Sequence, residues 1–153
     1  MIKNIGIEIP KDIYDILKNE KILAIMTTFS DKGMPYMTPL STIYPKNNES
    51  ILIAILAENT GYKNMVWQKK VVISLIEPNN LCVHMIGRSG IVRAPSKVHP
   101  LINIAQIDII DVIYEDSLLV SIESKIKWKH ISPEMKNLHD SLMRELQECA
   151  NVI

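Results

Sequence analysis

An apolar run gives way to a helical pattern between Asn59 and Asn64, and this stretch, Asn59-Thr60-Gly61-Tyr62-Lys63-Asn64, carries residue types that can hold a phosphate. The N–H groups of a first helical turn have no intrahelical acceptor, and the positive end of the helix dipole favours an anion there. Gly61 lets backbone approach closely, the Thr60 hydroxyl can donate, and Lys63 adds a full charge. The same residues also describe an ordinary capped helix with a solvated lysine, its N-cap being Thr60 or Asn59.

Other chemistry is harder to find by spacing. His84, His99, His130 and His139 are not spaced as a metal set, and Cys82 with His84 on one strand face falls two ligands short of a structural zinc site. No Ser or Cys has a local motif that would bring a base to it, so a nucleophilic centre is not predicted. Asp108 and Asp111 lie in an apolar run, where solvent-facing positions on a curved strand account for them most simply. Lys125, Lys127 and Lys129 alternate with apolar residues and read as a solvated stripe.

These residues need elements to position them. The two runs of Ile22–Phe29 and Met34–Tyr44 flank Ser30-Asp31-Lys32-Gly33, whose polar, Gly-ended chemistry predicts an antiparallel hairpin. Its first arm is apolar on both faces, as in a strand buried inside a barrel. Its second arm holds Pro35 and Pro39, which cannot donate to a ladder, so it should be an edge or a place where backbone meets a ligand. Ahead of the hairpin, 10–20 forms a short amphipathic helix with Ile13 and Leu17 inward. After it come strands over 51–57, 71–76, 81–92 and 102–114, with Gly87 and Gly90 marking a bulge or a sharp bend. A short helix over 61–68 separates the first two of these. Period two from Leu118 to Trp128 predicts one more, half-exposed strand. Ser132-Pro133-Glu134 then opens a capped helix whose stripe is Met135, Leu138, Leu142, Leu146 and Cys149. Short turns, bend glycines and few crossovers point to a mainly β fold, an antiparallel barrel of six or so strands with N-terminal, middle and C-terminal helices outside it.

A length of 153 residues with 47% hydrophobic composition suits a single domain, 1–153, with a real core. Acidic and basic residues balance at 17 each, so no global field draws in nucleic acid or an anionic membrane. Two distant cysteines, no signal-like start and no spanning apolar run lead to the expectation of a reduced, cytoplasmic protein. So many apolar residues on a small, neutral barrel predict self-association as a C2 homodimer.

Taken in order, Leu23-Ala-Ile-Met-Thr-Thr-Phe-Ser-Asp-Lys-Gly-Met-Pro-Tyr-Met-Thr-Pro-Leu40, then Ile51-Leu-Ile-Ala-Ile, Thr60-Gly-Tyr-Lys-Asn-Met and Lys70-Val-Val-Ile-Ser-Leu75, resemble the FMN-binding split-barrel superfamily related to pyridoxamine 5'-phosphate oxidase. The tail Lys125-Ile-Lys-Trp-Lys-His-Ile-Ser-Pro-Glu134 is similar to the Arg-Trp-containing tail of smaller members. The resemblance implies that Met37, Thr38, Pro39 and Leu40 lie along the flavin ring, that Thr60, Tyr62, Lys63 and Asn64 hold the FMN phosphate, and that Trp128 contributes to the cofactor site. It also implies a homodimer with the flavin sites at the interface. Gly61 stands where the pattern often has a basic residue, which puts the phosphate grip in question. The activity so implied is that of an FMN-dependent oxidoreductase on an unidentified small molecule. Pyridoxamine phosphate oxidation itself fits poorly, because its second phosphate needs an Arg set and only Arg88, Arg93 and Arg144 are present. The alternative is a non-enzymatic flavin or haem carrier or sensor, with His84 or His130 as an axial ligand.

Overall fold

The structure, a computed structural model, describes residues 2–19, 21–116 and 119–152. Its elements in chain order are β1 (Ile2–Gly6), α1 (Lys11–Asn19), β2 (Ala24–Phe29), β3 (Pro35–Leu40), β4 (Ile43–Pro45), β5 (Ser50–Leu56), α2 (Thr60–Gln68), β6 (Lys70–Glu77), β7 (Leu81–Arg93), β8 (Ile102–Glu115) and α3 (Pro133–Ala150). All eight strands join one antiparallel sheet in the order β3-β2-β6-β7-β8-β5-β4, with β1 added on β8. It is a mainly β split barrel. The ends of the path, β3 and β4, follow one another in the chain across Ser41 and Thr42 alone, so the barrel closes through a covalent link where no ladder forms. Thr42 fixes that corner on β5, its hydroxyl donating to the Ala54 carbonyl at 2.6 Å and its own carbonyl accepting the Ala54 N–H at 3.0 Å.

The expected hairpin forms, its register running from Ala24 opposite Leu40 to Phe29 opposite Pro35. Gly33, at φ 78°, makes the turn, and the Ser30 hydroxyl accepts the Lys32 and Met34 N–H groups. The prolines sit where their missing donors cost least, because β3 is an edge of the sheet. Inside the barrel, Met26, Ile73, Met85, Ile107 and Val112 pack with Ile13 and Leu17 of α1. Outside it, Leu142, Leu146 and Cys149 of α3 cover Leu52, Ala54, Ile102 and Ile104. Strand β5 is therefore buried on both faces, which explains why its sequence is continuously apolar.

Three expectations change. The second hairpin arm, expected to run from Met34 to Tyr44, breaks at Ser41 because the chain must cross to the other edge of the sheet. A strand, β1, precedes the first helix, and eight strands stand where six or so were expected. Among the described residues, the half-exposed strand expected from Leu118 to Trp128 does not form. Leu118 lies outside the described residues, and 119–131 runs without ladder bonds, tied instead by side chains: Asn80 Oδ1 accepts the Ile122 N–H, and Trp128 Nε1 donates to the Ile22 carbonyl. Alternation along a segment reports a half-exposed face and does not by itself supply a partner strand.

Candidate cofactor site

Helix α2 is capped by Asn59, whose Oδ1 accepts the Gly61 N–H at 2.7 Å and the Tyr62 N–H at 3.4 Å. The same oxygen accepts the Thr38 hydroxyl at 3.4 Å, tying the helix start to the edge strand β3. Asn64 Nδ2 reaches Thr28 Oγ1 of β2, and the Tyr62 hydroxyl accepts Asn103 Nδ2 of β8 at 2.8 Å. Gly61 is required by packing here: a Cβ would lie 2.7 Å from Thr38 Oγ1 and 3.1 Å from the Met26 methyl. Side chains on β2, β3 and β8 thus fix where the helix N-terminus points. A basic residue, as the related pattern often has, does not fit at Gly61.

The residues predicted for cofactor binding divide by this geometry. Met37 and Pro39 face outward on β3, while Thr38 and Leu40 face the interior, as strand alternation dictates. Thr60 and Lys63 are exposed on α2, and Lys63 shares a shallow cleft of about 290 Å³ with Asp31, Asn64 and Trp67. Tyr62 and Asn64 spend their polar atoms on holding the helix. Two of the first-turn N–H groups are already taken by Asn59, which leaves the Lys63 ammonium and the Thr60 hydroxyl as the groups best placed to meet a phosphate. Trp128 stands at the other end of the hairpin, beside Ile22 and Ser41. The helix start is tied to Thr38, three residues from Ser41, so about 10 Å of strand lies between it and the Trp128 end.

Two clusters arise that spacing did not reveal. Across three strands, Ser74 Oγ lies 2.9 Å from His84 Nδ1, and His84 Nε2 lies 3.2 Å from Glu115 Oε2. This brings a base to a serine after all, because facing positions on β6 and β7 are distant in sequence. Neither thiol is shifted toward its thiolate. Burial pushes the Cys82 thiol up, with Glu115 and Asp116 adding to it, and burial likewise raises Cys149.

The second cluster joins the tail to α3. Trp128, His130 and His139 pack ring against ring with centroids 5.0 to 5.3 Å apart, and Lys21 Nζ lies 4.1 Å from the Trp128 ring centre. A cavity of about 340 Å³ opens beside them, lined also by Ser41, Lys136, Asp140 and Met143. Burial lowers the His139 pKa, against the opposing effect of its bond to the Ser41 carbonyl. A larger cleft of about 730 Å³ between 8–14 and 46–48 shares no residue with either site.

No protein-family model and no curated protein matches the sequence. Solved structures do match in fold. A pyridoxamine 5'-phosphate oxidase-like protein of Lactobacillus delbrueckii superposes with a TM-score of 0.63 at 14% identity, over 72% of this chain and 98% of that one. An FMN-binding protein of Syntrophomonas wolfei gives 0.56 at 15% identity, over 69% of this chain and 85% of that one. HutZ, the haem storage protein of Vibrio cholerae, gives 0.56 at 10% identity, over 69% and 94%. The chain shares the split-barrel fold of these proteins. No helix among the described residues is long and apolar enough to cross a membrane.

Proposed function

We propose that this chain binds FMN along the outer edge of β3, with the phosphate at the start of α2, and acts as a flavin-dependent oxidoreductase on a small molecule. The observation that carries this reading is the juxtaposition of Thr60 and Lys63 with an edge strand whose Met37 and Pro39 face outward, on a fold shared with an FMN-binding protein. Bound FMN supplies the redox chemistry. The chain's part is positional. Thr38 and Asn59 lock the helix start to β3, Lys63 offers a cation, and β3 presents an apolar edge on which a ring system can lie.

The proposed site is completed by a second copy of the chain. Met34, Tyr36 and Met37 on the edge, with Val66 and Trp67 on α2, form an exposed apolar set, Trp67 at 73% exposure. A homodimer would cover such a surface and exclude water from the flavin. Sedimentation at micromolar concentration is expected to give a dimer, and a monomer would count against a shared site.

Absorbance of the protein as purified, with no cofactor added, is the first test, a flavin band in the blue being expected and a Soret band favouring the haem carrier instead. The sharper test compares ligands. Lys63→Ala removes a charge-assisted contact worth about 1.5 to 3 kcal/mol, so FMN affinity should fall about tenfold to a hundredfold. Riboflavin, which lacks the phosphate, should bind wild type and variant alike. Unchanged FMN affinity in Lys63→Ala would remove this lysine from the site.

A further inference from the structure

We infer that His130, His139 and Asp140 form a binding site for a divalent transition-metal cation of the zinc class, separate from the flavin site. One ligand atom from each of the three residues falls within a set whose members are all within 4.8 Å of one another. Bonds of about 2.0 to 2.2 Å to zinc bring ligand atoms within about 3.5 Å in a tetrahedral shell, so side-chain rotation is enough to close the set.

Three further observations point to an ion and not to packing alone. The first is an orphan: His130 Nε2 is buried and has no hydrogen-bond partner. A buried imidazole nitrogen normally finds one. The second is the tautomer of His139. Its Nε2 lies 3.3 Å from the Ser41 carbonyl, which can only accept, so Nε2 carries the proton and Nδ1 keeps a lone pair for a metal. Metal-binding histidines are commonly oriented in this way by a carbonyl behind the ring. The third is the space in front of the cluster. The cavity of about 340 Å³ leaves room for water or a small ligand at the remaining coordination positions. Two imidazoles and one carboxylate suit zinc, cobalt, nickel or ferrous iron, and suit magnesium or calcium poorly.

Two ammonium groups face the cluster. Lys136 Nζ is 2.7 Å from Asp140 Oδ2, and Lys21 lies over Trp128. The Lys136–Asp140 pair is an exposed i,i+4 pair on α3, a weak type of interaction that a dication displaces or shares through the second carboxylate oxygen. The site therefore makes a prediction that a plain aromatic cluster does not: Lys136 is a competitor of the metal.

The test is calorimetric titration of the flavin-free, EDTA-treated full chain with Zn²⁺, with Co²⁺ absorbance as a second reading. One equivalent is expected to bind. Asp140→Asn and His130→Gln should each weaken binding at least tenfold, and Lys136→Met should tighten it. Should His130→Gln fail to fold, Asp140→Asn, on the outer side of α3, carries the test. Absence of saturable binding by the wild type, or binding unchanged in Asp140→Asn and His130→Gln, would overturn the assignment. FMN plays no part in this titration, so its outcome is independent of the flavin reading.

Discussion

Glu145→Ala is expected to lower the stability of the fold by about 3 kcal/mol, the low end of what breaking a buried ion pair costs. The Glu145 side chain is 2% exposed, and its two oxygens accept from three donors. Arg93 Nη1 donates at 2.7 Å, the Lys97 N–H at 2.7 Å, and the Ser96 hydroxyl in a short bond to the other oxygen. Burial by itself would push this carboxyl up, but these donors together hold it below its usual range. The group thus fastens α3 to the connector between β7 and β8, over the second core cluster. Arg93 keeps 28% exposure and recovers some hydration in the variant, which keeps the cost from the top of the range. For a chain of this size, 3 kcal/mol corresponds to a Tm about 6 to 12 °C lower. The pH dependence supplies a second reading. A carboxyl with a depressed folded pKa binds fewer protons folded than unfolded, so it stabilises above the ordinary value of 4.5 and loses that contribution as pH falls through the folded pKa. Wild type should lose this contribution in acid, and Glu145→Ala should lack that part of the slope. A Tm within about 2 °C of wild type would show that α3 docks without this residue.

Gly87→Ala is expected to cost about 3 kcal/mol, at the upper end for overpacking, because a Cβ there meets backbone. It would sit 2.6 Å from the Asp108 carbonyl oxygen and 2.6 Å from Ile107 Cγ2. Strand β8 bulges opposite this point, with Ile110 left out between the pairs Ile86–Asp111 and Gly87–Ile109. The bulge bends the two longest strands so that the sheet can curl. An added methyl forces β7 and β8 apart at that bend, and denaturant titration should show a lower midpoint with an unchanged slope. Gly90→Ala is the internal control, since a Cβ there meets nothing within 4 Å. Equal midpoints for the two variants would mean that the strands can separate at no cost.

The sequence by itself determined the local elements. Ser132 and Gly33 mark a helix cap and the hairpin turn, and the cap of α2 is narrowed to Thr60 or Asn59, because capping and left-handed turns depend on a few neighbouring atoms; the structure selects Asn59. The alternating and continuous apolar runs place β2, β5, β6, β7 and β8, and the ordered motifs carry the split-barrel resemblance. Pro35 and Pro39 identify an edge strand because a missing N–H is a local fact with a topological consequence. What only the tertiary structure decided were the contacts between residues far apart in the chain. The break at Ser41 follows from the need to cross the barrel mouth, and 119–131 lies outside the sheet although its sequence alternates. The same holds for side-chain clusters. His84 meets Ser74 through strand register, His130 meets His139 because the tail folds back onto α3, and Glu145 finds Arg93 across 52 positions. Periodicity reports which face of an element is apolar, whereas the partner of a polar group on that face is chosen by the packing of the whole chain.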